Sequence, residues 1–197
     1  MEETMNLSQL FKQFRKGIGW FVGLTIGGAL IGGIIAYLIL TPQYTSQSQL
    51  IVKISDTNNS GKISAGLAMI NTYKDFVTSD VVVKEVKQEL SENENLQLSK
   101  KAIKNSLEVN QSPSSQMFTI EATATDKKEA AKIANTTVAV FKTKIRDVLE
   151  VKDIKTVSKA TPANQASFPN HLLIVGMATL LGLLLGFIVA AFKGKKD

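Results

Sequence analysis

Two uncharged apolar runs lie at opposite ends of the chain and enclose a long polar stretch. They cover Ile18–Leu40 and Leu172–Phe192, and neither contains Asp, Glu, Lys or Arg. Each run is long enough to cross the roughly 30 Å hydrocarbon core of a bilayer as a helix. The pattern therefore predicts transmembrane helices over residues 18–40 and 172–192, with a domain over residues 41–171 between them. Residues 1–17 and 193–197 are then short tails.

Basic residues flank the two runs on one side only. Lys12, Arg15 and Lys16 precede the first run, and Lys193, Lys195 and Lys196 follow the second. Because Lys and Arg near membrane ends are retained in the cytoplasm, both tails are predicted to be cytoplasmic and residues 41–171 extracytoplasmic. A cleaved signal peptide is the alternative for residues 1–40. Its apolar core would be about 7–15 residues long, with small residues at a following cleavage site.

Hydrophobic spacing within residues 41–171 predicts alternating strands and helices. A period of two over Tyr44–Ser55 indicates a strand, and a spacing of three or four between Ile63 and Leu90 indicates two helices. Their break is expected near Thr78–Asp80, where Ser79 or Asp80 can cap the second helix. The later predictions, in chain order, are a short helix over Ser99–Ser106, strands over Leu107–Asn110 and Met117–Thr123, a long helix from Thr125–Asp126 through Glu150, and a strand over Ile154–Ala160.

The longest of these helices carries one continuous apolar stripe, as expected of a helix that packs on a core. The stripe consists of Ala130, Ile133, Ala134, Val138, Phe141, Ile145, Val148 and Leu149. The order strand, helices, two strands, helix, strand predicts an α+β domain in which helices cover one face of a mixed sheet. Its first and last strands, each attached to a membrane helix, can pair side by side.

Composition excludes several classes of function. The net charge of +6 is modest and the basic residues are not interleaved with clustered aromatics, so nucleic acid is not an expected partner. The chain has no cysteine, which removes disulfides, thiolate metal sites and thiol catalysis. It also lacks a phosphate-binding loop of the G-x-x-x-x-G-K-[ST] type.

Other candidate chemistry is sparse. His171 is the only histidine and lies at the mouth of the second apolar run without a partner residue, which favours an interfacial polar role over a metal or catalytic one. Glu85, Glu89, Glu92 and Glu94 alternate with lysines and are typical of a solvated helix face. We therefore expect no enzymatic activity, no cofactor and no metal.

Small residues recur every four positions in both apolar runs. They include Gly19, Gly23 and Gly27, then Gly28 and Gly32, and in the second run Gly182 and Gly186. This spacing lets helix backbones approach closely in lipid, where van der Waals packing drives association. The pattern predicts helix packing, either within the hairpin or between copies of the chain.

Two prolines precede the second apolar run. Pro162 and Pro169 lack amide donors and have a fixed φ, so the chain between them cannot continue a sheet or a helix. One interpretation is a stiff extended connector that transmits movement of the domain to the second helix. The other is that the prolines only mark a clean helix start.

Three short segments together resemble a known family. They are Pro42–Tyr44 with Leu50–Val52, Asp126–Asn135, and Ala160–Pro162 with Ser167–Pro169. In this order, and at these distances from two membrane helices, the set resembles the Wzz chain-length determinants, which are polysaccharide co-polymerases of bacterial envelopes. The resemblance covers essentially the whole chain. A departure is the presence of two prolines in the segment where many relatives have three or more.

The resemblance implies a homo-oligomeric cell-membrane protein of capsular or exopolysaccharide biosynthesis. No kinase domain follows the second run, so the chain is similar to the split Gram-positive form, an adaptor and activator of a separate cytoplasmic tyrosine kinase. Contact with that kinase would involve Lys193, Gly194, Lys195, Lys196 and Asp197. The polysaccharide polymerase and export machinery are further implied partners. The alternatives are a chain-length determinant that works without a kinase, as for O antigen, and an envelope sensor or ligand-binding module.

Overall fold

The computed structural model describes residues 7–53, 60–113, 115–149 and 154–193. They form two compact units. The described parts of Met1–Thr41 and Pro169–Asp197 make up one unit, which we call the membrane hairpin. Residues Pro42–Phe168 make up the other, which we call the loop domain.

The helices and strands follow one another in a simple order. They are α1 (Leu7–Ile34), a π-helical segment (Ile35–Ile39), β1 (Tyr44–Val52), α2 (Ser60–Val77), α3 (Asp80–Asn93), α4 (Lys100–Ser106), β2 (Leu107–Gln111), β3 (Met117–Ala124), α5 (Lys127–Leu149), β4 (Ile154–Ser158) and α6 (His171–Lys193).

The membrane hairpin consists of α1, the π-helical segment and α6. Two stretches, Gly17–Ile39 and His171–Phe192, are long and apolar enough to span a bilayer. Many of their large apolar side chains are exposed; that of Leu172, for example, is 85% exposed. These features are consistent with a membrane protein with two spans. Helix α1 begins before the apolar run, because the segment from Leu7 contains no helix breaker before Gly17.

The loop domain contains a four-stranded sheet in the order β2-β3-β1-β4. Each pair of neighbours is antiparallel. The prediction of a mixed sheet was therefore wrong. Strand β2 runs in the same direction as β1, but β3 lies between them and is antiparallel to both. The sequence pattern identified the strands but not which strand of the β2-β3 hairpin would lie beside β1.

The predicted pairing of the first and last strands is confirmed. Strand β4 lies antiparallel to β1, with Val52 opposite Ile154 and Leu50 opposite Thr156. The register shifts between Gln49 and Leu50. A shift of this kind is typical of a β-bulge, which increases the local twist of the sheet. Of the strand predicted over Tyr44–Ser55, the part beyond Lys53 lies outside the described residues.

Helix starts in the loop domain follow local capping chemistry. The predicted break is confirmed, because α2 ends at Val77 and the Ser79 hydroxyl accepts a hydrogen bond from the Val82 amide. The Ser99 hydroxyl caps α4 by accepting from the Ala102 amide at 3.0 Å. Asp126 accepts from the amides of Lys128 and Glu129 and caps α5. In each cap, the side-chain oxygen accepts hydrogen bonds from amides that have no acceptor within the helix.

Alternate residues of the sheet point into one core beneath α5. Leu50 on β1, and Phe118 and Ile120 on β3, are at most 1% exposed. Phe118 meets Phe141 of α5 edge to face, with ring centroids 5.9 Å apart. Residues of the opposite parity, such as Gln47, are not buried. Helices thus cover one face of the sheet, as predicted. Each fully buried large apolar side chain contributes about 1.5–3 kcal/mol.

The apolar stripe of α5 is confirmed over most of its length. Its members from Ala130 to Ile145 are all buried. Val148, however, is 56% exposed, so its placement in the stripe was wrong. The side chain of Leu149, the last predicted member, lies outside the described residues, so the buried stripe is established from Ala130 to Ile145.

Candidate functional site

The chain between β4 and α6, residues 159–170, is the segment that links the loop domain to the second membrane helix. We call it the connector. At its start, Ala160 is only 6% exposed. The side-chain amide of Asn135, on α5, donates from Nδ2 to the Ala160 carbonyl and accepts at Oδ1 from the Ala160 amide, both at 2.9 Å. The first backbone groups beyond β4 are therefore held by a helix side chain.

The far end of the connector is held by the start of β1. The Gln43 amide donates to the Phe168 carbonyl at 2.8 Å, and the Ser167 amide donates to the Gln43 carbonyl at 2.7 Å. The hydroxyl of Ser167 also lies 2.8 Å from that of Thr45. The Thr45 hydroxyl in turn lies 2.9 Å from that of Thr123 on β3. The first and last residues of the loop domain are thus joined where the chain enters and leaves it.

The two prolines have different surroundings. Pro162 is exposed and lies between the two attachments of the connector. Pro169 is buried and is followed by Asn170, whose Oδ1 accepts from the Leu173 amide in the first turn of α6. Pro162 therefore lies between two held points of the connector, whereas Pro169 directly precedes a helix cap.

Four of the predicted glycines lie between α1 and α6. An added Cβ at Gly28 would come within 2.6 Å of the Ala178 carbonyl oxygen, and one at Gly182 within 2.5 Å of the Leu24 carbonyl oxygen. Gly32 and Gly186 are similarly close to α6 and α1, respectively. A side chain at any of these positions would separate the helices, because nothing but hydrogen fits.

The other three predicted glycines face open space. A Cβ at Gly19, Gly23 or Gly27 would meet no atom within 4 Å. Conversely, Gly17 was missed by the sequence analysis although its Cβ would lie 2.6 Å from the Ala190 Cα. Gly17 precedes the apolar run by one residue, and its distance of eleven residues from Gly28, three helical turns, was the available signal.

His171 makes a contact that the sequence did not indicate. Its ring stacks on that of Tyr37, with centroids 4.2 Å apart and planes inclined by 16°. Tyr37 belongs to the π-helical segment at the end of α1, and His171 is the first residue of α6. Aromatic side chains are enriched at membrane interfaces. The stack therefore pairs the two helix ends that adjoin the loop domain in the sequence.

Charged groups of the loop domain are arranged as surface pairs. Lys144 on α5 lies 3.3 Å from Glu85, and Lys132 lies 2.9 Å from Glu94. Lys144, Glu85 and Glu94 line a cavity of about 250 Å³ between α3 and α5. The described residues contain no group of three or more acidic or histidine side chains able to hold a metal. The carboxylates predicted to form a solvated face thus include two that join α3 to α5.

Among the described residues of the loop domain, two titratable groups have a shifted pKa. Hydrogen bonds from the amides of Glu129 and Lys128 hold the pKa of Asp126 below its ordinary value. Burial raises the pKa of Tyr73 and favours its neutral phenol. The Asp126 shift results from helix capping and the Tyr73 shift from packing.

The predicted kinase contact lies almost wholly outside the described residues. Gly194, Lys195, Lys196 and Asp197 are not among them, and Lys193 is the last residue of α6. What the structure does show is the route to that segment. A single helix of 23 residues, α6, runs from the end of the connector to Lys193.

Comparison with known proteins gives one family and several relatives. Residues 3–90 match the model of the Wzz family, described as chain length determinant protein. The chain is 23% identical to the capsular polysaccharide type 5 biosynthesis protein cap5A of Staphylococcus aureus strain Newman, over 98% of this chain and 87% of the relative. It is 28% identical to the probable capsular polysaccharide biosynthesis protein YwqC of Bacillus subtilis strain 168, over 93% and 75%.

A third relative extends the similarity to another genus. The capsular polysaccharide biosynthesis protein CpsC of Streptococcus agalactiae is 28% identical over 100% of this chain and 85% of its own length. The family match covers α1 to most of α3, and the relatives also cover α5, the connector and α6. The resemblance to the Wzz family that the three sequence segments predicted is thereby confirmed.

Proposed function

We propose that this chain, a relative of the Wzz chain length determinants, is a non-enzymatic membrane protein that controls polymer length in capsular polysaccharide biosynthesis. The observation that carries the proposal is similarity over nearly the whole chain to Gram-positive proteins named for that process. A folded domain between two apolar helices supports it, since such a protein can hold a scaffold at the membrane surface. Synthesis and export of the polymer are assigned to partner proteins.

The proposed orientation places both tails in the cytoplasm and the loop domain outside. The supporting observation is charge: the segments that join the loop domain to the hairpin, residues 41–52 and 160–171, have no Lys or Arg, whereas both tails do. Basic residues close to a membrane end are retained on the cytoplasmic side. Several copies of the loop domain would then form the extracytoplasmic scaffold of a homo-oligomer.

We further propose that the C-terminal tail, Lys193–Asp197, contacts a cytoplasmic tyrosine kinase and activates it. The connector is attached to the loop domain at both ends, and α6 leads from the connector to the tail without interruption. A change in the loop domain can therefore reach the tail through one continuous helix. The three lysines of the tail supply a compact positive charge for an acidic kinase surface.

The kinase proposal is tested by co-purification from native membranes after mild crosslinking. The tagged full chain is compared with a variant that lacks residues 193–197. A matched control replaces Lys193, Lys195 and Lys196 by Arg, which keeps the charge that orients the helix. We expect a tyrosine kinase with the full chain and the Arg control, and none with the truncation.

The other outcomes separate the remaining functions. Recovery of a polysaccharide polymerase without a kinase, from full chain and truncation alike, would support a chain-length determinant that works without a kinase. Recovery of neither would contradict the proposed place in polymer export. It would favour a module that senses an envelope molecule.

A further inference from the structure

Asn135 has a pair of hydrogen bonds that a helix residue seldom makes. It lies in the interior of α5, yet its side chain binds both backbone groups of Ala160, 25 residues later in the chain. Asparagine is an unfavourable residue inside a helix, because its short amide competes for backbone partners. A residue that weakens its own helix while making two well-aligned tertiary bonds has a role outside the helix.

The chemistry of the asparagine amide explains the choice of residue. It offers one donor and one acceptor side by side, as a backbone peptide does. Strand β4 ends at Ser158, so Ala160 lies beyond the ladder that β4 forms with β1. Asn135 provides for Ala160 what a neighbouring strand would provide. An aliphatic side chain of similar size would leave both buried groups without partners.

The second attachment is independent of the first. Ser167 and Phe168 bind Gln43 through the backbone, and the Ser167 hydroxyl lies within hydrogen-bond distance of Thr45. Between the two attachments only Ala163 is partly buried, and the other five residues from Thr161 to Ala166 are exposed. The connector is thus fixed at two points and free between them. The first of these two attachments is made by a helix residue, Asn135 of α5.

We propose that Asn135 is a positioning residue: it fixes the start of the connector, at Ala160, to α5 and thereby couples α5 to the segment that leads to the second membrane helix. The coupling rests on the proposed function, since its output is the control of polymer length. The attachment of Ala160 to Asn135 does not rest on the proposed function, because it can be measured in the isolated protein. Displacement of α5 would move Ala160 with it and change the distance that residues 161–166 span between the two attachments.

The attachment is tested by amide hydrogen exchange of the full chain in lipid nanodiscs. Asn135→Ala removes both hydrogen bonds, and Asn135→Leu removes them while keeping the branched shape and the number of heavy atoms; both substitutions favour the helix. We expect exchange of the Ala160 amide to rise roughly tenfold in each, as the loss of about one hydrogen bond predicts. The amides of Gln49, Leu50 and Ile51 should keep their protection. Asn105→Ala, which alters an exposed asparagine of α4, is the matched control.

Two results would contradict the attachment. Unchanged exchange at Ala160 would show that the side-chain bonds do not hold the connector. Loss of protection in β1 as well would show that Asn135 stabilises the whole domain and positions nothing in particular.

The coupling is tested by the size distribution of the polymer in cells that carry the same variants. We expect Asn135→Ala and Asn135→Leu to alter the distribution at normal protein level, and Asn105→Ala to leave it unchanged. A freed Ala160 amide with an unaltered distribution would overturn the positioning role. Cells that lack the chain serve as the reference. If their polymer is also unaltered, it is the proposed function that has failed, and the exchange data still decide the attachment.

Discussion

At the residue scale, two serines of β1 have the same burial and opposite hydrogen bonding. Ser46 is 2% exposed and Ser48 is 0% exposed, both on the face of the sheet that packs under α5. The Ser48 hydroxyl donates to the Ser158 carbonyl at 2.8 Å. Among the described residues, the Ser46 hydroxyl has no hydrogen-bond partner. A buried hydroxyl without a partner loses its hydration and gains nothing in return.

This difference predicts effects of opposite sign. We expect Ser46→Ala to raise the free energy of unfolding by up to about 1 kcal/mol, because it removes an unpaired buried hydroxyl. Ser48→Ala should lower it by about 1 kcal/mol, because it leaves the Ser158 carbonyl without its donor. Urea unfolding of the full chain in detergent, followed by circular dichroism, measures both. Destabilisation by both substitutions to the same extent would contradict the description of Ser46.

A second prediction at this scale concerns pH. The pKa of Asp126 is lowered by hydrogen bonds from the Glu129 and Lys128 amides, so its ionised form stabilises the folded state. That contribution is complete above the ordinary aspartate pKa of about 3.9 and is lost as the pH falls through the lowered pKa. Asp126→Ala should therefore have a lower Tm than the natural chain at pH 7, and the gap should narrow below about pH 4. A gap independent of pH would contradict this account.

The two cases show what the sequence can reveal about single residues. Ser79, Ser99 and Asp126 were predictable as helix caps because a cap and its partner amides are two or three residues apart. The Ser46 and Ser48 hydroxyls were not, because their hydrogen bonding depends on strands far away in the chain: Ser46 lies opposite Ala122 of β3, and the acceptor for Ser48 is Ser158 of β4. The same reason hid the pair of bonds between Asn135 and Ala160, although Asn135 lies in a segment that resembles the family.

At the element scale, α1 carries glycines on two faces and uses only one of them against α6. Gly28 and Gly32 face α6, whereas Gly23 and Gly27 face open space. The spacing of four predicted close packing, but two registers of that spacing occur side by side in α1. Only the position of the partner helix distinguishes them, so the sequence left the choice open.

This division predicts a contrast between adjacent residues. Gly28→Ala places a Cβ 2.6 Å from the Ala178 carbonyl oxygen, an overlap with backbone that typically costs 1–3 kcal/mol. We expect it to lower the yield of a disulfide between cysteines introduced at Tyr37 and His171, whose rings stack across the two helices, roughly tenfold relative to the same pair in the natural background. Gly27→Ala meets no atom and should leave the yield unchanged. The natural chain has no cysteine, so any disulfide that forms within one chain joins the two introduced cysteines. Equal yields in the two variants would contradict the assignment of faces.

The sheet shows the same limit on prediction from sequence. All four strands were located by their alternation and turns, and the pairing of β1 with β4 followed from their attachment to the two membrane helices. The position of β3 beside β1 did not, because β2 and β3 have similar patterns and either could have occupied the centre.

At the scale of the whole molecule, the connector is the only covalent path from the loop domain to α6. Both of its attachments lie within the loop domain, and its last residue caps α6. The proposed topology places the connector outside the cell and the C-terminal tail inside. Function at this scale could be predicted from the sequence only through the family resemblance, because no group of reactive side chains specifies it.

The topology is tested with single cysteines in this cysteine-free chain. Gln165→Cys lies in the exposed middle of the connector, and Lys195→Cys lies in the tail. We expect a membrane-impermeant maleimide to label the first in intact protoplasts and the second only after lysis. Labelling of Lys195→Cys in intact protoplasts would reverse the proposed orientation.

Control of polymer length is the central claim, and the size distribution of the capsular polymer tests it most directly. The measurement compares cells that lack this chain with the same cells carrying the natural chain at native level. We predict that the modal length shifts when the chain is absent and returns when it is restored, while the sugar composition stays the same. An identical length distribution in the two strains would contradict the account.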